Sequence, residues 1–388
     1  MATRVQNAVE SLMKKLKVSI LTHDIGGGTF TNLCVSLIRG LQELGVDANL
    51  VVLSATREEL AQFPDIPITT LDVKRTAFSL GATVRYLKQH QPDILLPMPW
   101  YFNVVAVVAR YLAGVSTKVI LGEHNIISLE AGIEHRDKPH LRFLPILMRF
   151  TYPYGDGLVG VSKDTITDLV ETLKIAADIP MRVVLNPINP ERVRQLAQAP
   201  IEHPWFHNSE IPVIVTAARL AKQKQIDGLL QAFATVVQAT PARLLILGEG
   251  PLRQELENLI QELGIADSVW MPGYDPNPYR YMAQSDVFVL ASAWEGCPIA
   301  LQEAMACGAA VVVTDAPGGM KDIVEYGKHG VLVQTGNPEA LARGLLQLLT
   351  DPALKQHYRE QSQLRASEFH YLNTAQQYLD FCKEVLAQ

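Results

Sequence analysis

At 388 residues the chain is long enough for two domains, each able to bury a core of its own. Apolar residues make up 48% and charged residues 19%, which excludes a disordered chain. The net charge of -6 excludes bulk binding to nucleic acid, which needs a basic surface. Short apolar runs alternate with helical patterns along the whole length, the signature of α/β folds with parallel sheets. In the first half, strands are predicted at 17–22, 48–53, 93–97, 118–122, 157–161 and 182–185, with helices at 29–44, 79–90, 101–113 and 163–174. Asn186-Pro187-Ile188-Asn189-Pro190 reads as the junction, because two close prolines stop local structure. After a looser stretch at 199–210, read as a surface excursion, strands are predicted at 212–216, 243–247, 268–271, 286–290, 310–313 and 330–333. A last helical stretch covers 373–386.

Cys34, Cys297, Cys307 and Cys382 follow neither zinc nor redox spacing and read as reduced thiols. Met1 to Lys17 lacks the apolar stretch of a signal peptide. The apolar run Val104 to Val115 is interrupted by Arg110 and too short to span a bilayer. The expectation is a cytoplasmic protein, soluble or held at a membrane face. The segment 135–150 mixes Arg136, Lys138, His140, Arg142 and Arg149 with bulky apolar residues. That pattern suits a membrane surface, and somewhat better a core-packed helix with a charged outer face.

Several strand ends carry residues suited to chemistry. Gly26-Gly27-Gly28 follows the first strand and opens a helix, so its backbone can approach a ligand closely. Without a third glycine at the right spacing it departs from the dinucleotide fingerprint, which speaks against a nicotinamide dehydrogenase. The fourth run ends in Glu123-His124-Asn125, where ligands of open α/β sheets gather. Glu123 alternates with His124 and is expected to face the other way. In the second half Arg219 and Lys224 flank a strand-to-helix loop, a planar fork and a point charge fit for a diphosphate. Gly250 and Gly273 end two further strands, the second followed by Tyr274.

The densest stretch is Glu295-Gly296-Cys297-Pro298-Ile299-Ala300-Leu301-Gln302-Glu303. Its first carboxylate lies in a turn and its second within the following helix, for which Pro298 is the predicted first residue. The free N–H groups of that helix end suit a phosphate, and the carboxylates suit sugar hydroxyls. Cys297 reads as a small hydrophobe there, since no base partner is visible.

In order and spacing, the glycine loop, the strand-end histidine, the Arg-x-x-x-x-Lys pair and the two glutamates resemble the signature of retaining glycosyltransferases with the GT-B fold, the large group 1 family. The resemblance implies two Rossmann-like domains facing a cleft, 1–188 and 189–370, with a final helix within 371–388 crossing back to the first. It implies a nucleotide sugar, foremost a UDP-sugar, as donor and a glycan or lipid-linked acceptor. His124 and Glu295 would hold the donor sugar, Arg219 and Lys224 the diphosphate, and Glu303 the ribose. The glycine loop would cover the diphosphate, and the Gly250 and Gly273–Tyr274 loops would line the base. No Asp-x-Asp motif occurs, so no metal or other cofactor is expected. For a lipid acceptor, 135–150 is the surface expected to touch the bilayer. Two alternatives stand beside this: a sugar-nucleotide epimerase of the same fold, and a non-catalytic protein that binds the nucleotide sugar.

Overall fold

The computed structural model describes residues 15–26, 28–134, 144–175, 178–207 and 210–388. Among them the strands form two wholly parallel sheets. The first has seven strands in the order β3-β2-β1-β4-β5-β6-β7 and the second six in the order β10-β9-β8-β11-β12-β13. In chain order the first seven are Lys17–Thr22, Asp47–Val52, Ile68–Thr70, Ile94–Pro97, Lys118–Glu123, Gly157–Gly160 and Met181–Val183. β8 to β13 are Val213–Ala217, Arg243–Leu247, Val269–Gly273, Val287–Leu290, Ala310–Thr314 and Val331–Val333. Both sheets reverse their strand order beside the first strand of their half, between β1 and β4 and between β8 and β11.

Central strands such as Ile94–Pro97 and Val287–Leu290 are buried along their length. Helices cover both faces of a parallel sheet, so such strands read as continuous apolar runs. The edge strand Ile68–Thr70 was not predicted; all three residues are half-buried, so it has no such run. The helix predicted over 163–174 is α-helical only through Lys163–Thr167 and continues as a π-turn over Asp168–Thr172. Ile201 is buried in the predicted surface excursion, and Trp205 and Phe206 pack on the second core. That stretch is therefore pinned to the sheet.

The chain crosses between the sheets twice. At the crossings Ile188 N–H donates to Phe369 O at 2.9 Å, and Tyr371 N–H donates to Ile188 O at 2.9 Å. The final helix, Tyr371–Leu386, lays Ala375, Tyr378, Phe381, Cys382 and Val385 into the core beneath β1, β2 and helix Thr29–Glu43. Gly40 makes room for it, since a Cβ there would lie 2.6 Å from that of Ala375. No helix among the described residues is long and apolar enough to cross a membrane.

Candidate functional site: the strand ends at the cleft

In open α/β sheets ligands bind beyond the carboxyl ends of the strands where the order reverses. In the second sheet the loops after β8 and β11 flank that point, and an ion pair joins them. Lys224 Nζ lies 2.5 Å from Glu295 Oε1, and Ser292 Oγ donates to the same oxygen at 2.6 Å. The Lys224 and Glu295 side chains are only 18% and 7% exposed, so the pair is largely desolvated. The backbone also stitches the loops together. Ala293 N–H donates to Gln223 O at 2.7 Å, and Gln223 Nε2 donates to Trp294 O at 2.9 Å. Arg219, on the same loop as Lys224, is exposed.

The Glu295 loop also meets the first sheet. A Cβ on Gly296 would lie 1.8 Å from the His124 carbonyl oxygen, so only glycine allows this approach. The His124 ring packs edge-on against Phe30 at 5.2 Å. Both its nitrogens are sealed from solvent without a hydrogen bond of good geometry among the described residues, although the residue as a whole is half-buried. Burial outweighs an approach by the Asn186 side chain and lowers the imidazole to about 4, so the ring is neutral. Glu123, one residue earlier, faces the core as expected. It accepts from Asn103 Nδ2 at 2.8 Å and from the Tyr152 hydroxyl, while Oε2 has no partner among the described residues. Burial pushes its carboxyl up to about 8.

Asn186, at the first crossing, holds the signature stretch from the other side. Its Nδ2 donates to Cys297 O at 2.9 Å, and its carbonyl accepts from Gln302 Nε2 at 2.9 Å. Cys297 is buried, and burial pushes its thiol up to about 12, in keeping with an inert small side chain. Pro298 stands one position earlier than predicted. With ψ at 106° it caps the helix, which starts at Ile299, and its carbonyl accepts from Leu301 N–H. Ala300 is half-buried and Leu301 fully buried, both packed with the second core.

A cleft of about 290 Å³ opens between the sheets. Its walls include Gly28, Asn32 and Ser36 on one side and Asn189, Arg192, Tyr274, Tyr279, Ile299 and Glu303 on the other. Gly28 has φ at 94°, a left-handed conformation that suits glycine, and caps helix Thr29–Glu43. Gly26 donates its N–H to Asp24 Oδ1 at 3.2 Å, and Gly27 lies outside the described residues. Tyr274 is 72% exposed. Glu303 accepts from the Tyr279 hydroxyl at 2.8 Å, and burial pushes its carboxyl up to about 7. Gly250 and Gly273 support neighbouring loops: a Cβ on Gly250 would lie 2.4 Å from Leu220 O, and one on Gly273 would lie 2.5 Å from Glu249 Oε1.

Of the predicted residues, Lys224 and Glu295 meet the His124 strand end, and Gly28, Tyr274, Ile299 and Glu303 line the cleft; Gly26, Arg219, Gly250 and Gly273 are not among the residues of either. Sequence reasoning missed Ser292, Asn186, Tyr279 and Arg192. Ser292 has the one local signal, a hydroxyl at a strand end three residues before Glu295. Among the described residues no group of three His, Cys, Asp or Glu side chains is placed to hold a metal ion.

Two doubly wound sheets meeting at such a cleft define the two-domain architecture of GT-B glycosyltransferases. Residues 27–192 match the family Glycosyltransferase Family 4, and residues 199–365 match Glycosyl transferases group 1. Together these matches run through most of the chain, which belongs to the group 1 glycosyltransferases. It is 29% identical over 322 residues to the N-acetylgalactosamine-N,N'-diacetylbacillosaminyl-diphospho-undecaprenol 4-alpha-N-acetylgalactosaminyltransferase of Campylobacter jejuni, covering 83% of this chain and 82% of that one. It is also 29% identical over 262 residues to the N-acetyl-alpha-D-glucosaminyl L-malate synthase of Bacillus anthracis, covering 67% and 65%. Anabaena HepE, solved in complex with UDP, superposes with a TM-score of 0.75 at 20% identity, over 95% of this chain and 100% of that one. Sucrose-phosphate synthase of Thermosynechococcus elongatus gives 0.76 at 16% identity, over 96% and 100%.

Proposed function

We propose that this glycosyltransferase moves a hexose or N-acetylhexosamine from a UDP-sugar to a hydroxyl of a glycan or lipid-linked acceptor, with retention and without a metal. The observation that carries this reading is the Lys224–Glu295 pair at the switch point, abutting the His124 strand end. Both bonds to Glu295 fall on Oε1, which leaves Oε2 for a sugar hydroxyl. Lys224 keeps further N–H donors for the diphosphate, beside Arg219. The neutral His124 ring, whose nitrogens find no partner of good geometry among the described residues, suits a sugar hydroxyl. Cations fixed at the leaving group stabilise the charge that develops there. The C1–O bond to the diphosphate breaks and a bond from C1 to the acceptor oxygen forms on the same face. The acceptor's proton passes to a diphosphate oxygen. We assign two units, 1–188 with 371–388 and 189–370, hinged at the paired crossings.

For a lipid-linked acceptor we assign an exposed apolar face of the first unit to the bilayer. Ile146, Leu147 and Phe150 on helix Leu144–Thr151 lie 52%, 52% and 69% exposed, near Tyr111 and Tyr154. The basic stretch 135–143 adjoins this helix in sequence and lies outside the described residues. Co-flotation with anionic phospholipid vesicles, lost on Leu147→Asp with Phe150→Asp, is expected; undiminished flotation of that variant sinks the assignment.

A thermal-shift panel of UDP-, GDP- and ADP-sugars tests the donor, because a ligand of the folded state raises apparent stability. A shift selective for one UDP-sugar is expected, larger at pH 8 than at pH 6. Glu303 is largely protonated at the lower pH and must ionise to accept two ribose hydroxyls. No shift from any of them, with the protein folded, overturns the reading.

A further inference from the structure

The two halves also grip each other behind the cleft. Lys163-Asp164 opens the helix after β6, and Lys321-Asp322 lies in the short helix Met320–Ile323 after β12. The contact is reciprocal. Asp164 Oδ2 accepts from Gly318 N–H at 2.8 Å and lies 2.9 Å from Lys321 Nζ. Asp322 Oδ2 accepts from Lys163 N–H at 3.0 Å, with Lys163 Nζ 3.9 Å from Oδ1. An acidic residue in a first helical turn is ordinarily explained by the helix dipole. Here Ser162 already caps that helix through Thr165 N–H, and Asp164 reaches across to the other half.

What Asp164 grips is the turn on which Glu295 rests. Pro317 O accepts from Glu295 N–H at 3.0 Å, and Gly319 N–H donates to Gly296 O at 2.7 Å. A Cβ on Gly318 would lie 1.6 Å from Glu295 O, so the two backbones are in direct contact. Beside the grip, a cavity of about 560 Å³ lined by Lys163, Asp322, Tyr326 and Arg365 leaves room for the halves to hinge.

We propose that Asp164 is a positioning residue: from the first half it fixes the Pro317–Gly319 turn of the second, and so, when the halves are closed, the backbone that carries the Glu295 carboxylate to Lys224 and Ser292. The inference rests on the reading of Glu295 as the sugar clamp. It makes assembly of the clamp depend on closure, which limits exposure of a reactive donor to water before the acceptor is held.

Asp164→Ala removes both contacts, whereas Asp164→Asn keeps an acceptor for Gly318 N–H. Hydrogen exchange is measured on peptides covering 292–300 and 315–320, with UDP as probe. Turnover is measured as UDP release from the UDP-sugar selected by the thermal panel, with a set of octyl hexosides as acceptors. Asp164→Ala is expected to speed exchange in both peptides but not in β1 and β2. It should also lower kcat by about 10- to 100-fold, with donor KM within about two-fold, as expected of a slightly misplaced reacting group. Asp164→Asn should recover most of both. Unchanged exchange at 292–300 in Asp164→Ala, or an Asn variant as impaired as the Ala variant, overturns the proposal. If the wild type releases no UDP from any sugar, the reading of the reaction fails, while the exchange comparison still decides the grip.

Discussion

The two halves share one strand order over six strands but prepare their strand ends in opposite ways. In the second, a desolvated lysine and glutamate are paired at the switch point, with a further arginine on the same loop. In the first, the groups at the end of β5 are titratable but neutral: an imidazole lowered to about 4 and a carboxyl raised to about 8, both by burial. A diphosphate leaving group needs positive charge, and the charged half offers it. A sugar ring and an acceptor hydroxyl need a water-poor wall with hydrogen-bonding groups that carry no net charge. On the function proposed above, the same scaffold divides the electrostatic work between its two halves, and the cleft brings the two environments together.

The largest expected effect comes from breaking the charged half. Glu295→Gln keeps the shape but removes the negative partner of Lys224 and, on the proposed function, one charged acceptor for a sugar hydroxyl. Transfer is expected to fall by about 100- to 1000-fold, the scale for losing one preorganised electrostatic contact in a transition state. Stability should fall by only about 1–3 kcal/mol, because Lys224 keeps a neutral acceptor. Steady-state turnover together with a denaturant curve separates the two. Full turnover in the variant would remove Glu295 from the sugar and leave the comparison without its charged side.

This division was partly legible in the sequence, for a physical reason. Interior parallel strands are unbroken runs such as Ala310–Thr314, so twelve of the thirteen strands among the described residues could be read, and the half-buried edge β3 could not. The glycine loops and the Glu295 to Glu303 stretch were legible because their geometry is local: a turn, a cap and one helix face. The partners that tune them were not. Tyr279 lies 24 residues from Glu303, Asn186 lies 111 from Cys297, and Asp164 lies 154 from Gly318. Each is chosen by packing between elements, which leaves no periodic trace. The burial that sets Glu123 and His124 is likewise a tertiary property, and a Glu-His pair on an exposed strand end would read identically.

A smaller effect sharpens the neutral half. In the folded chain Glu123 holds its proton up to about pH 8, while in the unfolded chain it gives the proton up near its ordinary value of 4.5. Between these values the folded state binds the extra proton, so the Glu123 contribution to stability falls as pH rises from about 4.5 to about 8. His124 acts in the opposite sense. Its folded value near 4 lies below the ordinary 6.5, so its contribution is full above pH 6.5 and is lost as pH falls towards 4. Glu123→Gln keeps an acceptor for Asn103 and Tyr152 and cannot ionise. Denaturant unfolding at pH 5, 7 and 9 should show the variant gaining on the wild type as pH rises, by roughly 2–4 kcal/mol at the top of the range. The gain should level off above pH 8, where the carboxyl ionises in both states. His124→Phe should instead gain on the wild type only below pH 6.5. Parallel curves for wild type and Glu123→Gln would mean that water reaches Oε2, and that the first half is kept neutral by something other than burial.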